Sequence, residues 1–254
     1  MANIIRFGGG VSRGSAISAP IMGVDFTWDG GDNTCQVIDE GSGNWQMRFL
    51  SSGNLKFLNN RLIDEFLVGG GGRGKGVYSQ NSGSKYQAYA GGGGYTTTVK
   101  SVVLVAETVY PIVVGAGATS ATAQAGTSSA FGASAAGGFS GGSAQRGKGG
   151  SGGSSALNST AAGTVVAGGR DGADGSGGSL AGVGQGTTTR AFGEADGDLY
   201  ASGGDAAIAA AGSITEPSPN TGDGGSANAA STVIQYSGAS GIVIIRNHRE
   251  EAAA

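Results

Sequence analysis

Between residues 115 and 241 the chain is built almost wholly of Gly, Ala, Ser, Thr and Asp. The tract opens directly out of Tyr110-Pro111-Ile112-Val113-Val114 and closes directly into Ile242-Val243-Ile244-Ile245. Such a composition ordinarily marks a disordered linker, because it buries too little apolar surface to offset the entropy of ordering. Linkers, however, do not usually begin and end flush against strand-like runs. Nor do they gather glycine into compact blocks, as here at Gly137-Gly138, Gly141-Gly142, 147–153, 168–178, Gly203-Gly204 and 222–225. The tract therefore reads as a folded scaffold of glycine segments joined by exposed loops.

The energetics of such a scaffold are close. Fixing one backbone unit costs roughly 1–2 kcal/mol, and glycine sits at or above that range. A net hydrogen bond returns only about 1 kcal/mol. Isolated glycine segments stay unfolded for that reason. Polyproline-II-like segments bundled side by side are different: with three residues per turn and no Cβ, their backbones approach closely enough for each N–H to reach a neighbouring C=O. Cα–H···O contacts add roughly 0.5–1 kcal/mol each. A bundle of this kind needs both ends pinned by something already folded, and the two flanking apolar runs supply the pins.

The remaining composition excludes several function classes. The chain has 254 residues, 54 glycines and a formal charge of −3, so it lacks the basic field that attracts nucleic acid. The single cysteine, Cys35, rules out an intrachain disulfide framework and a cysteine-based zinc site. No apolar run approaches the ~20 residues that span a membrane. The first residues, Met1-Ala2-Asn3-Ile4-Ile5-Arg6, lack the apolar core of a secretion signal. If the protein works outside a cell, it is expected to leave by another route, for instance inside a particle.

Strand signals concentrate outside the tract. Cys35-Gln36-Val37-Ile38, Trp45-Gln46-Met47-Arg48-Phe49, Leu55-Lys56-Phe57 and the run 62–68 are separated by short turns of Gly, Ser and Asn, the pattern of a four-stranded antiparallel meander. The β-branched run 95–105 is followed by 109–114, its expected hairpin partner, with Pro111 demoting the latter to an edge. With 242–245 this makes about seven strands. The expected fold is mainly β with almost no α-helix: a small antiparallel β-sandwich or meander carrying a polyglycine-II bundle with exposed loops. The expected division is 1–33, an arm that either attaches to a larger assembly or is a mobile terminus; 34–114, the β domain with the first glycine blocks; 115–241, the glycine-rich region; and 242–254, the closing strand and polar tail.

Two phosphate-binding patterns arise by chance. Gly69, Gly71 and Gly74 satisfy GxGxxG, but Val77-Tyr78-Ser79-Gln80 follows where a dinucleotide site needs a helix. Gly142 with Gly147-Lys148 imitates a P-loop until Gly149 stands at the Ser/Thr position. Catalysis finds little support either. The only histidine, His248, lies in Arg246-Asn247-His248-Arg249-Glu250 beyond the last strand and is expected to be a solvated tail residue rather than a base. The carboxylate pairs Asp171/Asp174 and Asp196/Asp198 could hold calcium or simply solvate the tract; the calcium nonapeptide repeat is absent. No cofactor and no metal are expected.

Asp64-Glu65-Phe66-Leu67-Val68-Gly69-Gly70-Gly71-Gly72, then Gly91-Gly92-Gly93-Gly94-Tyr95, then Tyr110-Pro111-Ile112-Val113-Val114-Gly115-Ala116-Gly117 occur in an order that resembles the glycine-rich domain of phage and prophage tail proteins. Ser128-Ser129-Ala130-Phe131-Gly132 and Gly241-Ile242-Val243-Ile244-Ile245-Arg246 are similar to that family too. The domain is in turn similar to tail-fibre adhesins whose glycine segments stack as polyglycine-II helices and whose loops contact the host. The resemblance implies a receptor-binding, non-enzymatic protein of a virion or phage-derived particle. Its expected partners are a bacterial surface glycan or protein, other tail proteins through the N-terminal segment, and its own copies in a homo-oligomer such as a trimer; neither nucleic acid nor membrane insertion is among them.

A glycine core offers no side chains, so specificity has to live in the loops. Tyr78, Lys85, Tyr86 and Tyr89 form one aromatic-basic cluster; Arg190, Phe192, Leu199 and Tyr200 form the other. Tyrosines on loops give rigid amphipathic contact area, and these eight are the expected receptor-binding residues. The alternative role for them is to cap the edges of the glycine stack. Two other function classes stay open: a structural tail component without receptor specificity, and an ice- or surface-binding polyglycine-II protein. The charged, uneven loops argue against the flat face that the last one needs.

Overall fold

The computed structural model describes residues 18–79, 85–158, 160, 162–208 and 214–250. Among them the chain is mainly β, with helix limited to two 3-10 turns, Gly178–Leu180 and Ala191–Gly193. Ten strands lie outside the glycine tract rather than about seven: β1 Phe26–Trp28, β2 Cys35–Gly41, β3 Asn44–Phe49, β4 Gly53–Phe57, β5 Arg61–Val68, β6 Lys75–Ser79, β7 Lys85–Tyr89, β8 Thr96–Leu104, β9 Val109–Ile112 and, at the far end, β17 Ile242–Asn247. Short strands interrupt the tract itself: β10 Ser128–Ala130, β11 Ala133–Ala135, β12 Ser155–Leu157, β13 Val165–Val166, β14 Ala206–Ile208, β15 Ala227–Ala229 and β16 Ile234–Gln235.

Two antiparallel sheets, β2-β3-β17-β5-β8 and β1-β4-β9, enclose a core of Phe26, Trp45, Met47, Phe49, Leu55, Phe57 and their aliphatic neighbours. The period-two alternation in β3 and β4 turns these side chains inward. The expected meander is not formed. β4 leaves the first sheet for the second, and β17 takes the place between β3 and β5. Ile242, Val243, Ile244 and Ile245 are buried on both faces of that central position, which is why the run is continuously apolar. β8 and β9 also part, each pairing in a different sheet, with the Pro111 strand at an edge as its missing N–H requires. Residues 18–33 are integral to this sandwich: Phe26 is fully buried and β1 pairs with β4. The rest of the expected arm, residues 1–17, lies outside the described residues.

From the sandwich the chain passes into the glycine bundle. Residues 90–95 are its centre. Ala90 and Gly93 donate to the carbonyls of Ser154 and Ser151, Gly91 and Gly94 to Gly225 and Gly222, and Gly92 and Tyr95 to Phe139 and Ala136. Donors three residues apart thus reach one antiparallel neighbour three residues back, the repeat of extended helices with three residues per turn. Residues 69–74 behave alike, with Gly69 and Gly72 donating to Tyr95 and Gly92, and Gly71 and Gly74 to Ala239 and Tyr236. The backbones touch: a Cβ on Gly93 would stand 2.0 Å from the Ala201 carbonyl oxygen. Where serine interrupts the blocks, its hydroxyl takes a neighbouring carbonyl, as Ser154 does with Val166 (2.7 Å) and Ser128 with Val68 (2.6 Å).

Beyond the bundle stand two small sheets, β12-β7-β6 and β13-β14-β15-β16, packed through an alanine-rich core of Ala88, Ala156, Ala206, Ala227 and Ala229 with Ile208. The chain reaches them from β5 through residues 69–74 and returns to β8 through 90–95, a crossing of about 19 Å at ~3.1 Å per residue.

Candidate recognition surface

Strand pairing fixes which strand ends meet. β6 ends and β7 begins where Ser79 faces Lys85; β12 ends against the start of β7, with Leu157 opposite Gln87. β14 runs parallel to β15, and Val165 at the start of β13 faces Ala207. Consequently β6, β12, β14 and β15 all end, and β7, β13 and β16 all begin, on the side away from the sandwich. The described segments 18–25 and 247–250 lie instead on the sandwich, through Asp25–Arg61 (3.2 Å) and Arg249–Glu40.

The first expected cluster sits at this distal end. Tyr78 and Tyr86 face each other across the hairpin and stack with ring centroids 4.9 Å apart and an interplanar angle of 15°. The Tyr86 N–H donates to the Asn158 side-chain oxygen, which ties the hairpin to the turn after β12. Lys85 is exposed. Tyr89 is different: it lies at the inner end of β7, 7% exposed, with the Arg146 guanidinium 5.0 Å from its ring centroid. It holds the bundle and offers no contact area.

The second cluster lies against the sandwich, near where β5 enters the bundle, and half of it faces inward. Phe192 and Tyr200 are 3% and 6% exposed, packed on Phe66 of β5 at 5.9 and 5.5 Å. The segment that carries them is docked on the outer face of the five-stranded sheet, so the expectation that these two rings meet a receptor is corrected by their burial. Phe192 adopts φ 57° in the turn Ala191–Gly193, which swings its ring back to the sheet. Arg190 is bound to Asp171 (3.1 Å) and to the Gly197 carbonyl (3.0 Å). Leu199, 37% exposed, is the member that faces outward most.

What the sequence did not show is the group that clamps this segment. Arg246, 3% exposed, reaches Asp64 (3.2 Å) and Glu194 (2.7 Å) and lies 4.0 Å over the Phe192 ring. Arg48 adds an ion pair to Asp198 at 3.0 Å. Of the carboxylates considered for calcium, Asp171 takes Thr188 and Arg190, Asp174 takes the Gly184 N–H, and Asp198 is the one paired with Arg48.

His248 is not a solvated tail residue. Its Nδ1 stands 2.6 Å from Oδ1 of the fully buried Asp64, and Ser101 Oγ stands 3.4 Å from Nδ1 and 3.3 Å from Nε2. Ser, His and Asp are thus together. An oxygen on the Nε2 lone-pair axis would be much farther from Nδ1 than from Nε2; the near-equal distances put the Ser101 hydroxyl over the ring instead. Burial pushes the Asp64 carboxyl up, but hydrogen bonds from His248, the Ser101 amide and Arg246 outweigh it and hold it below the usual range.

The sandwich that opens into a close-packed glycine bundle defines a β-rich protein whose scaffold is backbone and whose chemistry is in its turns. The glycine-rich domain family model matches residues 50–248, and the chain belongs to that family. No curated protein matches it.

Proposed function

We propose that the protein is a receptor-binding adhesin of a phage tail or phage-derived particle, seated by its sandwich and presenting its distal turns to a bacterial surface glycan or protein. The observation that carries this reading is the polarity of the molecule. The described ends of the chain lie on the sandwich, while the strand ends with Tyr78, Lys85 and Tyr86 lie at the opposite end of a bundle built mainly of glycine backbone. Recognition residues on a scaffold of this kind have to be at its turns. Chemistry is not part of the proposal; the Ser101 hydroxyl lies over the His248 ring.

The burial of Tyr89, Phe192 and Tyr200 favours a second reading, a structural tail component without specificity. Whole-cell binding of the purified protein across bacterial strains separates the two. An adhesin binds some strains and not others, and Tyr78→Ala with Tyr86→Ala lowers that binding at least thirtyfold, the effect of losing about 2 kcal/mol of anchor. Strain-independent or absent binding selects the structural role.

A further inference from the structure

The three-stranded sheet β1-β4-β9 has an apolar projection at one edge and an apolar hollow at the other. The projection is the turn before β1. Ile21, Met22 and Val24 are 57%, 51% and 64% exposed, three of four consecutive residues around Gly23. The turn is nevertheless ordered. Asp25 and Val24 donate to the Ile21 carbonyl at 2.8 and 3.1 Å, Gly23 to Phe26 at 2.8 Å, and the Ile21 N–H returns to the Asp25 carboxylate at 2.9 Å. Arg61 fixes that carboxylate from the other side. A turn pinned by four hydrogen bonds holds apolar side chains toward water with little entropy left to lose on burial.

The hollow lies beyond β9, between Tyr110-Pro111 and the β10–β11 turn. It measures about 540 Å³ and is lined by Tyr110, Pro111, Phe131 and the alanines beside it, with Ser134 at the rim. Phe131 stands edge-on to Tyr110 at 5.4 Å. Strand addition does not account for this edge, because Val113 already pairs with Ser129 and Pro111 has no N–H to donate. The hollow is suited to side chains.

With β4 between β1 and β9, the turn is at the far edge from its own hollow. We propose that the Ile21–Met22–Val24 turn of one copy seats in the Tyr110–Phe131 hollow of a second copy, so that the chains associate head to tail through their sandwiches. Projection and hollow are different surfaces on one sheet, so the contact is heterologous: it gives a ring where the rotation between copies closes and an open chain where it does not. Three side chains and one hollow fall below the ~1,000 Å² of a stable interface, so the free protein self-associates weakly.

Sedimentation of the full chain up to about 1 mM tests this against weak affinity. Mass should rise with concentration, and Met22→Asp and Ser134→Arg should each abolish the rise while leaving the circular dichroism and melting unchanged. Mixing the two variants decides the geometry: each retains one intact surface, so the mixture should give heterodimers and nothing larger. A Val24→Cys, Ala133→Cys double variant should also form cross-linked oligomers under oxidation, with Cys35 buried out of the way. Concentration-independent monomers without cross-links overturn the proposal, the turn then being covered by residues 1–17 or by a different protein. Oligomers indifferent to both substitutions, or a mixture that stays monomeric, overturn it equally.

Discussion

At the scale of single residues, two positions carry separate tests, one of the backbone scaffold and one of a buried charge. A methyl on Gly93 would sit 2.0 Å from the Ala201 carbonyl oxygen, against backbone that is itself held by neighbours. Relief requires moving a whole segment, so Gly93→Ala should cost more than the roughly 1–3 kcal/mol typical of an overpacked core. Thermal melting of that variant beside Gly132→Ala, where no atom lies within 4 Å of the new carbon, distinguishes close packing from the conformational strain that the second one carries. Glu65 is the other position. It is 1% exposed, one carboxylate oxygen has no partner, and burial pushes its pKa up to about 7. The folded state therefore prefers the protonated acid. That contribution is fully present below the ordinary value of 4.5, and it is lost as pH rises through about 7. Between pH 5 and 8 the protein should lose about 2.5 kcal/mol that Glu65→Gln does not lose. Denaturant midpoints against pH give the two slopes, and parallel slopes would count against the assignment.

Elements were legible in the sequence where their pattern is local. The alternation in β3 and β4, the bounding turns, and Pro111 at an edge follow from residue order alone. The apolar run of β17 announced a buried strand, but its place between β3 and β5 did not, because the partners lie near opposite ends of the chain. The docked segment 189–201 was legible least. Its aromatic residues are set among Gly, Ala and Asp without periodicity, so nothing local tells an inward ring from an outward one. Arg246 and Asp64 are separated by 182 positions, and each reads alone as an ordinary surface charge. Because Phe192 is buried beneath Arg246 and against Phe66, Phe192→Ala should destabilise the protein by about 3–5 kcal/mol. Lys85→Ala, at an exposed position, should leave the urea midpoint where it was. If both variants unfold alike to wild type, the segment is not anchored as described.

For the whole molecule the question is whether sandwich and bundle are one cooperative unit. The bundle's own side chains cannot hold it, since its centre is glycine and each hydrogen bond returns about as much as ordering one residue costs. What stabilises it is attachment: residues 69–74 continue β5, residues 90–95 continue into β8, and Gly241 leads into β17. All three joints enter adjacent strands of one sheet. Amides of Gly91, Gly92, Gly93 and Gly94, each with a bundle partner, should therefore exchange with solvent only through unfolding of the sandwich. Ile245→Ala tests this at a distance. Ile245 is fully buried in the sandwich core, facing away from the bundle's own contacts, and its truncation should cost about 2–5 kcal/mol. If the units are coupled, protection of the four glycine amides falls by the same amount as that of β17, a factor of roughly thirty or more. Glycine amides that already exchange at random-coil rates in the wild type would mean that the tract is tethered and not folded. Amides whose protection ignores Ile245→Ala would mean that the bundle stands without the sandwich, against the energetics that its composition imposes.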